Sequence, residues 1–118
     1  MYRLSKDVDL EFLVGVELHQ VCVGKNEVIL NFDHDVQITI LSAFAVGDRG
    51  APFTKYDDAP TGAIALLPLL HCTVSHAKAT DEGGLLLTFG SGVRLEVFDD
   101  SDQYESYWIA HGKQEIIV

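Results

Sequence analysis

Residues 28–40 read VILNFDHDVQITI, and this stretch decides the fold. Apolar residues occupy every second position in residues 28–32 and again in residues 36–40. That period is typical of strands with one buried face. The tripeptide Asp33-His34-Asp35 between them has the composition of a short hairpin loop. The stretch therefore predicts an antiparallel β-hairpin.

The same pattern returns in residues 85–97, where LLLTF and VRLEV flank Gly90-Ser91-Gly92. Aligning the two hairpins places Phe89 on Phe32. Upstream, residues 70–79 correspond to a strand over residues 16–23, with Val74 opposite Val21. We interpret the pattern as an internal duplication of about residues 12–46 and 66–98, followed by C-terminal strands in residues 104–118. The alternative is chance similarity between two amphipathic hairpins.

Between the halves, the Gly, Pro and Asp content of residues 47–58 predicts a surface loop. Residues 60–67 predict one short buried helix, which Pro68 should end or kink. Beyond residue 98, an acidic turn leads into an aromatic strand, and residues 116–118 are expected to close the sheet.

These elements predict a mainly β fold (β-rich α+β) in a single domain spanning residues 1–118. Two duplicated β-hairpin halves form a sandwich or partly open barrel, with the short helix between them. A chain of 118 residues that is 47% apolar has the length and composition for one core. The predicted core comprises Val16, Leu18, Val21, Leu30, Phe32, Ile38, Ile40, Leu66, Val74, Leu87, Phe89, Leu95 and Val97.

The charge balance narrows the possible partners. Eight Lys and Arg face 18 Asp and Glu, for a net charge of −10, and the cations are scattered along the chain. Without a basic stripe, binding to nucleic acid is not expected. A basic protein partner is electrostatically permitted.

The N-terminal residues lack the apolar segment of a secretory signal, and no apolar run approaches the length of a bilayer span. Cys22 and Cys72 are the only cysteines, and they could pair. Nothing else indicates an oxidising compartment, so we expect a cytoplasmic protein with two free thiols and no contact with a membrane.

Three segments of the chain resemble those of a known protein family. They are residues 12–24 (FLVGVELHQVCVG), residues 28–32, and above all residues 98–107, which read FDDSDQYESY. Together they resemble a family of small bacterial proteins of unknown function, in which a similar acidic and then aromatic segment follows the second hairpin. The resemblance implies no catalytic residue. In size and charge the chain is also similar to immunity proteins, which neutralise a toxin.

The acidic segment admits three interpretations: a solvated, capping turn, a protein-contact surface, or a cation site. Its spacing does not match the 12-residue calcium loop. An aromatic cluster follows it, in which alternation places Tyr107 and Trp108 on opposite faces, so that one is expected to lie in the core. The candidate partner-contact residues are Asp99, Asp100, Asp102, Tyr104, Glu105 and Trp108.

Two other groups of residues contain side chains that could bind a metal or act as a general base. His19, Cys22, His71, Cys72 and His76 are zinc-type ligands, but on regular strands only Cys72 and His76 would share a face. The loop Asp33-His34-Asp35 could orient a general base, but its counterpart Gly90-Ser91-Gly92 has no such chemistry. We therefore expect no catalytic residue, no metal and no cofactor.

The sequence predicts a non-catalytic, acidic protein-binding module, of which an immunity-type inhibitor of a basic partner is one form. One alternative is a small-ligand-binding protein or enzyme with a cleft between the two halves. Another is a homodimer or larger oligomer formed through the edge strand at residues 116–118.

Overall fold

A computed structural model of the protein describes residues 3–100 and 104–118. Two antiparallel sheets of five strands each share one hydrophobic core. The strands are β1 (Leu18–Val23), β2 (Val28–Phe32), β3 (Val36–Ile40), β4 (Phe44–Gly47), β5 (Thr54–Tyr56), β6 (Val74–Ala79), β7 (Leu85–Phe89), β8 (Arg94–Val97), β9 (Tyr107–His111) and β10 (Gln114–Ile117). The first sheet has the order β1-β2-β3-β9-β10 and the second β5-β4-β8-β7-β6. The mainly β prediction is confirmed, as two open sheets.

The hairpin in residues 28–40 is present as predicted, with Leu30 opposite Ile38. His34 and Asp35 both have positive φ angles, 58° and 59°, at its tip. Positive φ at two successive residues matches the right-handed twist of the flanking strands. Asp tolerates this conformation better than most residues because its short polar side chain can bond locally.

The meander β1-β2-β3 and the meander β6-β7-β8 correspond in detail. Each first strand carries a register irregularity, between Leu18 and Gln20 in β1 and between Val74 and His76 in β6. Leu18 pairs with Phe32, and Val74 pairs with Phe89. The alignment of Val74 with Val21 was therefore wrong: Val74 is equivalent to Leu18, and Ala77 is equivalent to Val21. Both strands carry the same bulge, and the turn after β6 is only one residue longer than the turn after β1.

Each meander is completed by a strand pair from the other part of the chain. The pair β4-β5 follows the first meander but joins β8 of the second sheet. The pair β9-β10 follows the second meander but joins β3 of the first sheet. An origin of this arrangement by duplication stays a prediction.

The segment at residues 47–58 is more ordered than a loop, since it contains β5 at the edge of the second sheet. The predicted helix begins as α1 (Ala59–Gly62), where the Asp58 carboxylate accepts a hydrogen bond from the Thr61 backbone N–H. It continues as a 3-10 helix over Ala63–Leu69, which contains Pro68. A further 3-10 turn, Glu11–Leu13, was not predicted.

Every predicted core residue is buried except Val21, which is half-buried against the core. Tyr107 is the largest buried side chain. Its hydroxyl donates a hydrogen bond of 3.0 Å to the Gly83 carbonyl oxygen in the turn before β7. Burial, aided by the nearby negative charge of Asp99, raises the pKa of Tyr107.

Both cysteines are free, as expected. No helix within the described residues is long and apolar enough to cross a membrane.

Candidate functional site

The outer face of the first sheet presents two rows of side chains that run across its strands. Residues paired across neighbouring strands point to the same face. The first row consists of Gln20, Asn31, Gln37, Ala110 and Glu115. The second row consists of Cys22, Ile29, Thr39, Trp108 and Ile117. We call these two rows the first outer face.

The first row contains a ladder of amides. Gln37 Nε2 donates to Asn31 Oδ1 at 2.8 Å, and Asn31 Nδ2 donates to Gln20 Oε1 at 3.1 Å. Asn31 Nδ2 also approaches Cys22 Sγ at 3.6 Å, which joins the ladder to the second row. The amides thus satisfy part of one another's bonding capacity without any charged group.

The second row is mostly apolar. Thr39, between Ile29 and Trp108 in the row, is only 6% exposed although it points outward. Ile117, at the edge strand, is 41% exposed. The centre of the row is therefore little exposed to solvent, and its β10 end exposes apolar surface.

Trp108 is held at this face by a neighbouring carboxylate. Its indole Nε1 donates to Glu105 Oε2 at 2.6 Å. Tyr104, one residue before Glu105, is 74% exposed. The sequence prediction that Tyr107 and Trp108 face opposite ways is confirmed, since Tyr107 is fully buried and Trp108 is half-buried.

The second sheet provides an internal comparison. Its equivalent outward rows are His76, Thr88, Arg94 and Gly47, and then Lys78, Leu86, Glu96, Ala45 and Lys55. Four of these nine residues are charged. The outward positions of β1, β2, β3 and β9 hold no Asp, Glu, Lys or Arg, and Glu115 on β10 is the one charged residue of the first outer face.

The acidic candidates lie on the connection from β8 to β9. Asp99 accepts a hydrogen bond of 3.3 Å from Ser106 Oγ, and the carboxylate of Asp100 accepts one from Ser42 Oγ. Asp102 lies outside the described residues. Of the six candidates, the structure brings Glu105 and Trp108 into direct contact.

The zinc-type residues do not form one cluster. His19 Nε2 and His71 Nδ1 lie 3.5 and 3.6 Å from the same Glu17 carboxylate oxygen. Cys22 lies against the amide ladder, and Cys72 Sγ donates to the Pro68 carbonyl oxygen at 3.6 Å. Across residues 3–100 and 104–118, no group of three or more His, Cys, Asp or Glu side chains has the geometry to hold a metal.

The hairpin tip at residues 33–35 is hydrogen-bonded to the chain that enters β1. Asp33 Oδ1 accepts from the Glu17 backbone N–H at 2.9 Å and lies 2.9 Å from His34 Nδ1. The Glu17 backbone hydrogen bond is the main cause that lowers the pKa of Asp33, and His34 adds to it. This carboxylate therefore stays ionised and fastens the tip of the hairpin to the chain entering β1.

Sequence reasoning placed Trp108 and Glu105 among the candidates and missed the amide ladder and Ile29. One signal was available. The outward positions of the first hairpin, such as Asn31 and Gln37, are uncharged, whereas those of the second hairpin include Arg94 and Glu96. Its meaning emerges only when β9 is known to pair with β3 and to add Trp108 to the same face.

The fold and this face define a small two-sheet β protein with one tryptophan-containing sheet surface on which Glu115 is the single charged residue. The chain belongs to a family of unknown function, DUF6188, whose model matches residues 10–118. Comparison with curated proteins and with solved structures gave no match.

Proposed function

We propose that the protein is a non-catalytic binding module that docks a partner protein on the first outer face. One observation carries the proposal: in a chain of net charge −10, the outward positions of β1, β2, β3 and β9 carry no charged side chain. A sheet face exposed only to water has no need of this depletion, and the equivalent face of the second sheet lacks it. Depletion of charge around an aromatic residue is typical of the core of a protein interface.

The rim of the face favours a basic partner. Glu105 lies beside Trp108, Glu115 lies on the edge strand, and the exposed Asp100 belongs to the neighbouring connection. An apolar centre with a polar rim is the usual anatomy of an interface. The partner we propose therefore has an apolar patch bordered by Lys and Arg, as the target of an immunity-type inhibitor would.

The test is affinity capture from the native host with three baits: the wild-type protein, Ile117→Lys and Ile64→Lys. Ile117 lies on the first outer face, whereas Ile64, 75% exposed, lies in the 3-10 helix and serves as the matched control. We expect wild type and I64K to retain one stoichiometric basic protein and I117K to lose it. Equal retention by I117K and I64K would contradict the proposed face. Recovery of a second copy of the chain instead would contradict a foreign partner and favour the homodimer.

The acidic rim has its own test. Electrostatic attraction acts mainly on the association rate. Asp100→Lys should slow association with the captured partner, and should do so more at low salt. The control Asp57→Lys alters an exposed Asp in the segment between β5 and α1, and should leave the rate near that of wild type. Equal rates for the two variants would remove Asp100 from the interface.

A further inference from the structure

A pocket opens between the N-terminal 3-10 turn and the outer face of the second sheet. Its volume is about 580 Å³, within the range of small-molecule sites. Glu11 and Val14, at the 3-10 turn, form one wall. Residues of β6, β7 and β8 form the other, so the pocket lies between the 3-10 turn that precedes β1 and the second sheet.

Two cations line this pocket. Arg94 on β8 and Lys78 on β6 both point outward from the sheet. The guanidinium carbon of Arg94 lies 4.6 Å from the centre of the Phe53 ring, a cation–π contact that limits the freedom of the side chain. Within residues 3–100 and 104–118, neither cation is within ion-pair distance of a carboxylate.

Neutral polar groups stand next to the cations. Thr88 is paired with both Arg94 and His76, so the three side chains share one row at the pocket wall. Ser75 Oγ donates to the Thr88 carbonyl oxygen at 3.0 Å and is fixed beside them. These groups add hydrogen-bonding partners for a ligand without adding negative charge.

The residues that line the pocket carry a net positive charge, whereas the whole protein carries a net negative charge. Among the residues that line the pocket, Arg94 and Lys78 give two positive charges against the one negative charge of Glu11, in a chain of net charge −10. Outside the lining, Glu96 follows Leu86 in the same outward row, and Asp81 interacts electrostatically with Lys78. The planar guanidinium fork matches the oxygens of a carboxylate or phosphate. The same pocket has apolar surface from Val14 and Leu86.

We infer that this pocket is a binding site for a small organic anion, with its carboxylate or phosphate group at Arg94 and Lys78 and an apolar body against Val14 and Leu86. The site lies on the second sheet and is independent of the docking face proposed for the first. The shared chemistry of the two ligand classes is an anionic group with terminal oxygens.

The experiment is a ¹⁵N NMR titration of the wild-type protein with phenyl phosphate, with benzoate, and with benzyl alcohol as the uncharged probe. We expect the anions, and not benzyl alcohol, to shift the Ala77 and Thr88 amides and the Arg94 side chain. Arg94→Gln should weaken binding about tenfold or more. Arg94→Lys should fall between R94Q and wild type, because it keeps the charge and loses the fork.

The control Lys113→Gln removes one positive charge at the turn between β9 and β10, on the first sheet. It should bind as wild type does. Binding by phenyl phosphate alone, by benzoate alone, or by both anions would support the site and identify the preferred oxygen group. Absence of shifts with both anions, equal shifts with benzyl alcohol, or equal affinities for R94Q and K113Q would overturn it. A thermal melt of each variant tests whether it is folded, so that a loss of binding can be distinguished from a loss of structure.

Discussion

The indole nitrogen of Trp108 and the carboxylate of Glu105 are joined by a hydrogen bond of 2.6 Å at the outer face of the first sheet. The bond is charge-assisted, and it satisfies the only polar group of the indole. Glu105 thus fixes the aromatic side chain on which the proposed docking face depends.

Replacing Glu105 by Ala should free the indole. We expect a loss of about 1–2 kcal/mol in the free energy of unfolding and a shift in the fluorescence of Trp108, the only tryptophan of the chain. Glu105→Gln keeps an acceptor and should retain most of both. Urea unfolding followed by fluorescence measures the effect, with Glu115→Ala on the same sheet as the control. Identical curves for E105A and E115A would show that the bond contributes nothing.

A second prediction concerns Tyr107, whose hydroxyl connects the first sheet to the turn at Gly83. Tyr107→Phe removes this donor and should cost about 1–2 kcal/mol in urea unfolding. Tyr56→Phe is the matched control, because the Tyr56 hydroxyl has no hydrogen bond to any residue that the structure describes. A cost for Y107F no greater than that for Y56F would contradict the assigned role.

The same tyrosine gives a dependence on pH. Its pKa is raised in the folded protein, above the value of about 10 expected in the unfolded chain. The contribution is therefore complete below pH of about 10 and is lost as the pH rises toward the folded value, because the unfolded state releases the proton first. The free energy of unfolding should fall more steeply above pH 10 in wild type and Y56F than in Y107F. Parallel slopes would refute this.

The pKa of Asp33 should lie below that of an ordinary aspartate. Its contribution to stability therefore changes with pH in the opposite direction to that of Tyr107. Its lowered pKa means that its contribution is present above the unfolded pKa of about 3.9 and is lost as the pH falls through the folded value. Carboxyl ¹³C NMR measures the titration directly. His34→Ala should restore only part of the shift, because the Glu17 backbone hydrogen bond is the larger cause. Complete restoration in H34A would reverse that order.

The exchange of strand pairs predicts that neither part of the chain folds alone. A fragment of residues 1–57 would leave the β3 edge without β9, and a fragment of residues 58–118 would leave the β8 edge without β4. We expect each fragment alone to give a poorly dispersed NMR spectrum, and an equimolar mixture to regain the spectrum of the intact protein. A folded monomer of either fragment would contradict the mutual dependence of the two sheets.

Much of this fold is predictable because alternation is a local property. The pattern of residues 28–40 and 85–97 predicts four strands and a large part of the core, since side-chain direction follows directly from a period of two. The bulges in β1 and β6, at His19 and Ser75, were missed because no local composition distinguishes an extra strand residue from a regular one. The strand β5 was missed because it is short and mostly exposed at a sheet edge.

The candidate site was predictable only in part. Glu105 and Trp108 were both candidates from the sequence, but their contact was not predicted, because residues three apart on a regular strand point to opposite faces and Glu105 precedes β9. The amide ladder of Gln20, Asn31 and Gln37 depends on cross-strand register, and its continuity with Trp108 depends on a pairing between strands far apart in the chain. Nothing in local composition specifies that β9, and not β4, completes the first sheet.

The most direct test of the docking face is ¹⁹F NMR of the protein labelled with 5-fluorotryptophan at Trp108, titrated with the captured partner. We predict that the single resonance shifts or broadens as the complex forms, in the wild-type and I64K backgrounds alike. In the I117K background it should stay unchanged at the same partner concentrations. A resonance that does not respond in a saturated wild-type complex would place the interface elsewhere and contradict the proposed docking on the first outer face.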